Sequence, residues 1–214
     1  IFLIMLSIID FSLGFNLCVV GASGGLGREI IYQAITERDL TVLGLSNKPL
    51  PIYKPFRGDG YEETKFMPQF KSKNLIIDSY WKDINYEYDH IVICVGSKPG
   101  EDDYSYRLTQ KIIYNLPDKC KSISLISALG VNEDISYENA RGKILELLFL
   151  RKIYKIKKLQ EDLLNNFSCR KIIKNIYRPY ALSYGNTYFD SISRYDLAYD
   201  ILQDIFTQEN IHSV

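Results

Sequence analysis

Histidine is almost missing from this chain: His90 and His212 are the only two in 214 residues. That excludes a histidine-rich metal site, so no metal is expected, and it argues against a Ser-His-Asp hydrolase. Paired cysteines are missing too. Cys18, Cys94, Cys120 and Cys169 form no C-x-x-C spacing, which leaves a zinc knuckle or a thioredoxin-type motif without support. Cys18 and Cys94 sit in apolar runs and read as buried, unreactive thiols of a protein kept soluble in a reducing compartment. Net charge is absent: 26 basic and 26 acidic residues sum to zero. A general electrostatic pull toward nucleic acid or an anionic membrane is therefore absent. The basic stretch Arg151, Lys152, Lys155, Lys157 and Lys158 reads as a solvated helix face.

No apolar run is long enough to span a bilayer. Residues 1–15 are an apolar N-terminal extension interrupted by Asp10, with no basic residues ahead of it and no initiator methionine. It is similar to the core of a signal peptide. A targeting remnant, a packed extension and an artefact of where the chain begins all stay open.

What remains is a chain with 46% hydrophobic residues, enough to bury a core without disulfides or metals. Residues 16–214 read as one domain. Short apolar runs at 17–20, 40–45, 75–78, 90–96, 122–127 and 171–177 predict strands. Helices are predicted over 28–35, 103–116, 138–165 and 196–206, with an irregular stretch at 48–72. Alternating strands and helices predict an α/β fold: a Rossmann-type, doubly wound parallel β-sheet with helices on both faces.

The most specific feature is Gly21-Ala22-Ser23-Gly24-Gly25-Leu26-Gly27. It follows a strand directly and opens a helix with Leu26, Ile30 and Ala34 on one face. The first glycine permits a tight turn, the second removes a side chain where phosphate must approach, and the third lets helix pack on strand. The free N–H groups of the helix start attract a pyrophosphate. The pattern predicts a dinucleotide on Gly21, Ser23, Gly24, Gly25, Leu26, Gly27 and Arg28. After the second strand stands Ser46-Asn47-Lys48, with no Asp or Glu to accept from a ribose 2′-hydroxyl. With Arg28 nearby, that set suits a 2′-phosphate and favours NADP (NADPH) over NAD.

These residues resemble the atypical short-chain dehydrogenase/reductases, specifically the NAD(P)H-binding set that includes NmrA-like and biliverdin-reductase-B-like proteins. Further stretches agree in order. Val92-Ile93-Cys94-Val95-Gly96-Ser97 looks like the strand whose end passes beneath the cofactor, so Val95, Gly96 and Ser97 are implied as its floor. Leu125-Ile126-Ser127-Ala128 looks like the strand carrying the active-site serine. Tyr177-Arg178-Pro179 is similar to the R-P-G segment beside the nicotinamide, with Tyr180 where the family has glycine. Ile192-Ser193-Arg194-Tyr195-Asp196-Leu197-Ala198 resembles its I-S-R-x-D-V-A segment.

The resemblance implies an NADP-dependent oxidoreductase acting on a small carbonyl, quinone or flavin-like molecule, as a monomer or homodimer. Two catalytic sets stay open beside Ser127. Tyr154 and Lys158 have the Tyr-x-x-x-Lys spacing of the reductases, yet they lie opposite the helix's apolar stripe of Ile153, Ile156, Leu159 and Leu163. The family's K-x-x-x-E-D-x-L frame instead selects Lys157, whose i−4 partner is Ile153. That altered machinery keeps a second class open: a non-catalytic NAD(P)-binding redox sensor or assembly module.

Overall fold

Runs of aliphatic and β-branched residues form six parallel strands: β1 (Gly14–Val20), β2 (Val42–Ser46), β3 (Leu75–Ser79), β4 (Glu87–Ile93), β5 (Ser122–Ile126) and β6 (Ile173–Tyr177). The computed structural model describes residues 14–47, 52, 54–55, 69–79, 86–96, 103–128, 131, 151–168, 171–179, 182–183 and 192–212. The sheet order is β3-β2-β1-β4-β5-β6. The chain thus winds outward from β1 in one direction, then returns and winds outward in the other. At that reversal, between β1 and β4, the connections diverge and leave a crevice beyond the strand ends.

Among the described residues, four helices cover the sheet: α1 (Gly25–Thr36), α2 (Tyr104–Tyr114), α3 (Arg151–Asn166) and α4 (Arg194–His212). The period-2 alternation of each strand decides which layer a side chain joins. Cys18, Val20, Leu43, Ile91 and Ile93 pack with Leu108 and Ile113 of α2 and Leu164 of α3. Leu17, Val19, Val42 and Val92 pack on the other side with Ile30 and Ile31 of α1 and Leu197 and Ile201 of α4. The expected doubly wound α/β sheet is what forms.

Several boundaries differ from the sequence reading. β1 begins at Gly14 and buries Phe15, ahead of its apolar core. α4 starts at Arg194, because Ser193 fixes its first turn: the Asp196 amide donates to Ser193 Oγ at 3.0 Å, and that hydroxyl donates back to Asp196 Oδ2 at 2.6 Å. This reciprocal pair satisfies an end that periodicity does not mark. A small parallel pair, β7 (Leu182–Ser183) and β8 (Ile192–Ser193), was not anticipated, since two-residue strands carry no period. Residues 138–150 of the long expected helix, most of the 48–72 stretch, and Lys48, Ser97 and Tyr180 lie outside the described residues.

Candidate dinucleotide site

The hydrogen bonds of the turn leaving β1 run main chain to main chain. Gly21 N and Ala22 N both donate to the Leu45 carbonyl, at 2.8 and 3.0 Å, which ties the turn to the end of β2. Gly24 N donates back to Gly21 O at 2.9 Å. Gly21 has φ +90°, a backbone region that L side chains rarely adopt. A Cβ on Gly27 would collide with the Gly21 carbonyl oxygen, so helix and turn close only without it. A Cβ on Gly24 would stand 3.2 Å from the same oxygen. Leu26 is buried; Ser23 and Gly24 are exposed. The result is a concave main-chain cradle at the start of α1, a shape that suits a pyrophosphate.

Arg28, in the first turn of α1, is 8% exposed, and its Nε has no hydrogen-bond partner among the described residues. A buried, unsatisfied guanidinium nitrogen is costly unless an anion meets it. At the end of β2, Ser46 is buried and Asn47 exposed. A phosphate-bearing nucleotide fits this set.

On the other side of the reversal stand Val95, buried, and Gly96, around whose bare Cα nothing among the described residues lies within 4 Å of a Cβ position. Beneath them sits Lys157. Its ammonium donates to Ile126 O at 2.7 Å and Val95 O at 3.1 Å, bridging the chain just past β4 to the end of β5. Burial pulls its pKa down to about 8, against the opposing pull of Cys94 and Glu161. Burial also pushes the neighbouring Cys94 thiol up to about 12, which keeps it protonated and inert. Cys18 is buried and shifted upward for the same reason. Ser127 is buried at the end of β5, and its hydroxyl has no partner among the described residues; its amide donates to Tyr177 O at 2.8 Å.

Of the two catalytic sets, the structure brings Lys157 to the strand ends and leaves Lys158 exposed and Tyr154 half-buried. The apolar stripe is corrected with it. Leu159 is 40% exposed, and the buried face of α3 is Ile156, Lys157, Gln160, Glu161 and Leu164. Three polar side chains turn inward because each finds a partner. Gln160 Nε2 donates to Thr109 Oγ1 at 2.7 Å and Ser105 O at 3.2 Å on α2. Glu161 takes both arms of Arg178, Nε at 3.0 Å and Nη2 at 2.8 Å. These partners offset part of the cost of burial, although Gln160 Oε1 has no partner among the described residues and the Lys157 ammonium still carries a desolvation penalty. Arg178 and half-buried Pro179 thus follow β6 beside α3, with the guanidinium engaged by Glu161. The i,i+4 spacing of Lys157 and Glu161 was the available signal for this face.

Sequence reasoning missed one residue at the turn. Arg194, the first residue of α4, lays its side chain on Gly25: a Cβ there would meet Arg194 Nε at 2.8 Å and Cδ at 3.1 Å. The signal was Gly25 itself, a glycine outside the spaced triplet.

No family model matches the chain, and no curated protein matches it. Solved structures do. The oxidoreductase ylbE from Lactococcus lactis has a TM-score of 0.61 at 16% identity, covering 90% of this chain and 85% of that one. A Rossmann-fold NAD(P)-binding family protein from Shigella flexneri gives 0.57 at 17%, covering 91% and 87%. SP1627 from Streptococcus pneumoniae TIGR4, assigned as an NADH-flavin reductase, gives 0.59 at 13%, covering 91% and 94%. This chain has the Rossmann fold. Its neighbours are of the kind that the sequence resemblance named, and their coverage shows that the likeness runs through nearly the whole Rossmann sheet and its helices. Among the described residues, no helix is long and apolar enough to cross a membrane.

Proposed function

We propose that this protein is an NAD(P)-dependent oxidoreductase that reduces a small carbonyl, quinone or flavin-like substrate and takes NADP in preference to NAD. The observation that carries the catalytic part is the placement of Lys157 under the ends of β4 and β5, on the carbonyl of Ile126, with Ser127 and its hydroxyl, unpartnered among the described residues, next in the chain. The neighbours' names, an NADH-flavin reductase and an NAD(P)-binding protein, agree with it. When bound, the nicotinamide supplies a hydride.

The chain's own residues do the rest. The turn 21–27 holds the diphosphate, and Val95 and Gly96 form a floor. Ser127 offers its hydroxyl to the substrate oxygen. Lys157, with a pKa of about 8, is a proton donor close to working pH, and its charge favours negative charge developing nearby. The preference for NADP rests on Arg28, buried with an unsatisfied Nε, and on Ser46 and Asn47 where an acid would repel a 2′-phosphate. Lys48 belongs to the same proposal.

One feature favours the non-catalytic reading: the residue one turn before Lys157 is Ile153, which can pass no proton. A single series separates the two. NADPH and NADH are titrated by fluorescence, and turnover is measured on a panel of carbonyls, quinones and flavins. Lys157→Met is expected to lower turnover roughly a hundredfold or more with nucleotide affinity held, while Lys158→Ala changes neither. Arg28→Ala is expected to weaken NADPH and spare NADH. Nucleotide binding without turnover on any acceptor overturns the enzyme and leaves the sensor.

A further inference from the structure

Gly25 is not explained by the turn it belongs to. Gly24 and Gly27 are hemmed in by the Gly21 carbonyl, as a dinucleotide turn requires. Around Gly25 the three nearest atoms to a Cβ all belong to one side chain, Arg194: Nε at 2.8 Å, Cδ at 3.1 Å and Cζ at 3.5 Å. The backbone at Gly25 is ordinary helix, open to any L residue. An arginine from the far end of the sequence thus lies against the bare Cα of Gly25.

That arginine is held in place. Ser193 and Asp196 lock the first turn of α4 around it. The next residue is tied to α1, since Gln33 Nε2 donates to Tyr195 O at 3.0 Å and to Glu29 Oε1 at 2.9 Å. The placement is electrostatically odd. The start of a helix carries partial positive charge, and a cation there is disfavoured. α1 has no acidic residue in its first turn, and the first carboxylate after it is that of buried Glu29, which accepts from Gln33 Nε2. Arg28, in that same turn, is buried with an unsatisfied Nε. The Arg194 side chain lying against Gly25 therefore brings a guanidinium to the helix start that a dinucleotide pyrophosphate would approach.

We propose that Arg194 is a phosphate clamp that closes over the dinucleotide pyrophosphate from α4, and that Gly25 exists to admit it. The proposal rests on the dinucleotide reading above. The side of approach chooses the phosphate. α4 shares a layer with α1, Val92 and Ile126, and Tyr177 Oη of β6 donates to its Asp204, so α4 lies on the β4–β6 side of α1, whereas Ser46 stands at the end of β2 beyond β1. Arg194 therefore reaches the turn from the side of β4 and β5 and meets the pyrophosphate, which NAD and NADP share, rather than the 2′-phosphate, which they do not.

The test is fluorescence titration of the apoprotein with NADH and NADPH, with melting curves to check the fold. Arg194→Ala is expected to weaken both nucleotides by the same factor, roughly ten- to a hundredfold for a charge-assisted phosphate contact. Arg194→Lys retains part of the affinity, because a point charge replaces a fork. Gly25→Ala displaces the guanidinium and weakens both nucleotides likewise. In the Arg194→Ala background Gly25→Ala adds no further loss, because nothing remains for the methyl to strike. Unchanged affinity in a folded Arg194→Ala variant overturns the clamp, as does a loss confined to NADPH or full additivity of the two substitutions. A wild-type chain that binds neither nucleotide overturns the dinucleotide reading itself, and the clamp with it.

Discussion

The two sides of the crevice are built from different material. At the turn 21–27 the contacts are main chain to main chain: Gly21 and Ala22 on Leu45, Gly24 on Gly21, and Gly27 closed against the Gly21 carbonyl. Under the ends of β4 and β5 they are side chains: Lys157 on two carbonyls, Glu161 on Arg178, Gln160 on Thr109. The first kind needs the absence of atoms at a few adjacent positions. The second needs long polar side chains to meet partners distant in sequence. The main-chain half should therefore fail sterically and abruptly, and the side-chain half electrostatically and by degrees.

The largest expected effect is at Gly27. Gly27→Ala places a methyl against the Gly21 carbonyl, and the strand and helix must part. We expect no detectable nucleotide binding and a loss of about 3 kcal/mol of stability, read by calorimetric titration and urea unfolding. Gly96→Ala is the contrast: with no atom near the added methyl, its stability should match wild type within about 0.5 kcal/mol. A Gly27→Ala protein that binds as tightly as wild type would break the distinction between the two halves.

The same distinction explains what the sequence disclosed. Glycines three apart, directly after the apolar run ending at Val20, state their own geometry, because each marks a place where no side chain fits. The α/β alternation was equally open, since strand and helix periods are local properties. α3 was misread for the opposite reason. Hydrophobicity put Leu159 inside and left Lys157 undecided, yet Leu159 is the more exposed of the two and Lys157 is buried. What turned the helix was its partners, the Val95 and Ile126 carbonyls, Arg178 and Thr109, and none of them is adjacent in sequence. Arg194 was read only as part of a family segment, and its place on the turn stayed hidden on the same ground: it lies far from Gly25 in sequence, and the packing of α4 on α1 joins them.

A smaller effect is expected at the ion pair. The Glu161 side chain is 0% exposed and that of Arg178 is 37% exposed, so the pair is asymmetric. Arg178→Gln leaves a buried carboxylate without its guanidinium and should cost about 2 kcal/mol, below the range for pairs buried on both sides. Glu161→Gln leaves a guanidinium that water can already reach and should cost less. Urea unfolding of both variants decides the order. The reverse order would mean that this half of the site is held by apolar packing instead of polar partners.

The smallest effect is a pH dependence carried by the side-chain half alone. Burial holds Lys157 at about 8 against an ordinary 10.5. Below pH 8 the proton is bound in both states, and the folded chain bears the cost of a buried charge. Above pH 8 the folded chain releases that proton while the unfolded chain keeps it, so stability rises with pH. Cys94 opposes this from pH 9, where the unfolded thiol ionises and the folded one, at about 12, does not; buried Cys18 acts in the same direction. The net rise is thus confined to pH 8 to 9 and amounts to at most about 1 kcal/mol. In Lys157→Met the rise should vanish and leave only the fall above pH 9. In Gly27→Ala it should survive at lower overall stability, because the defect there titrates nothing. Parallel urea-unfolding curves for wild type and Lys157→Met from pH 7 to 10 would mean that the Lys157 ammonium is not buried under the strand ends at all.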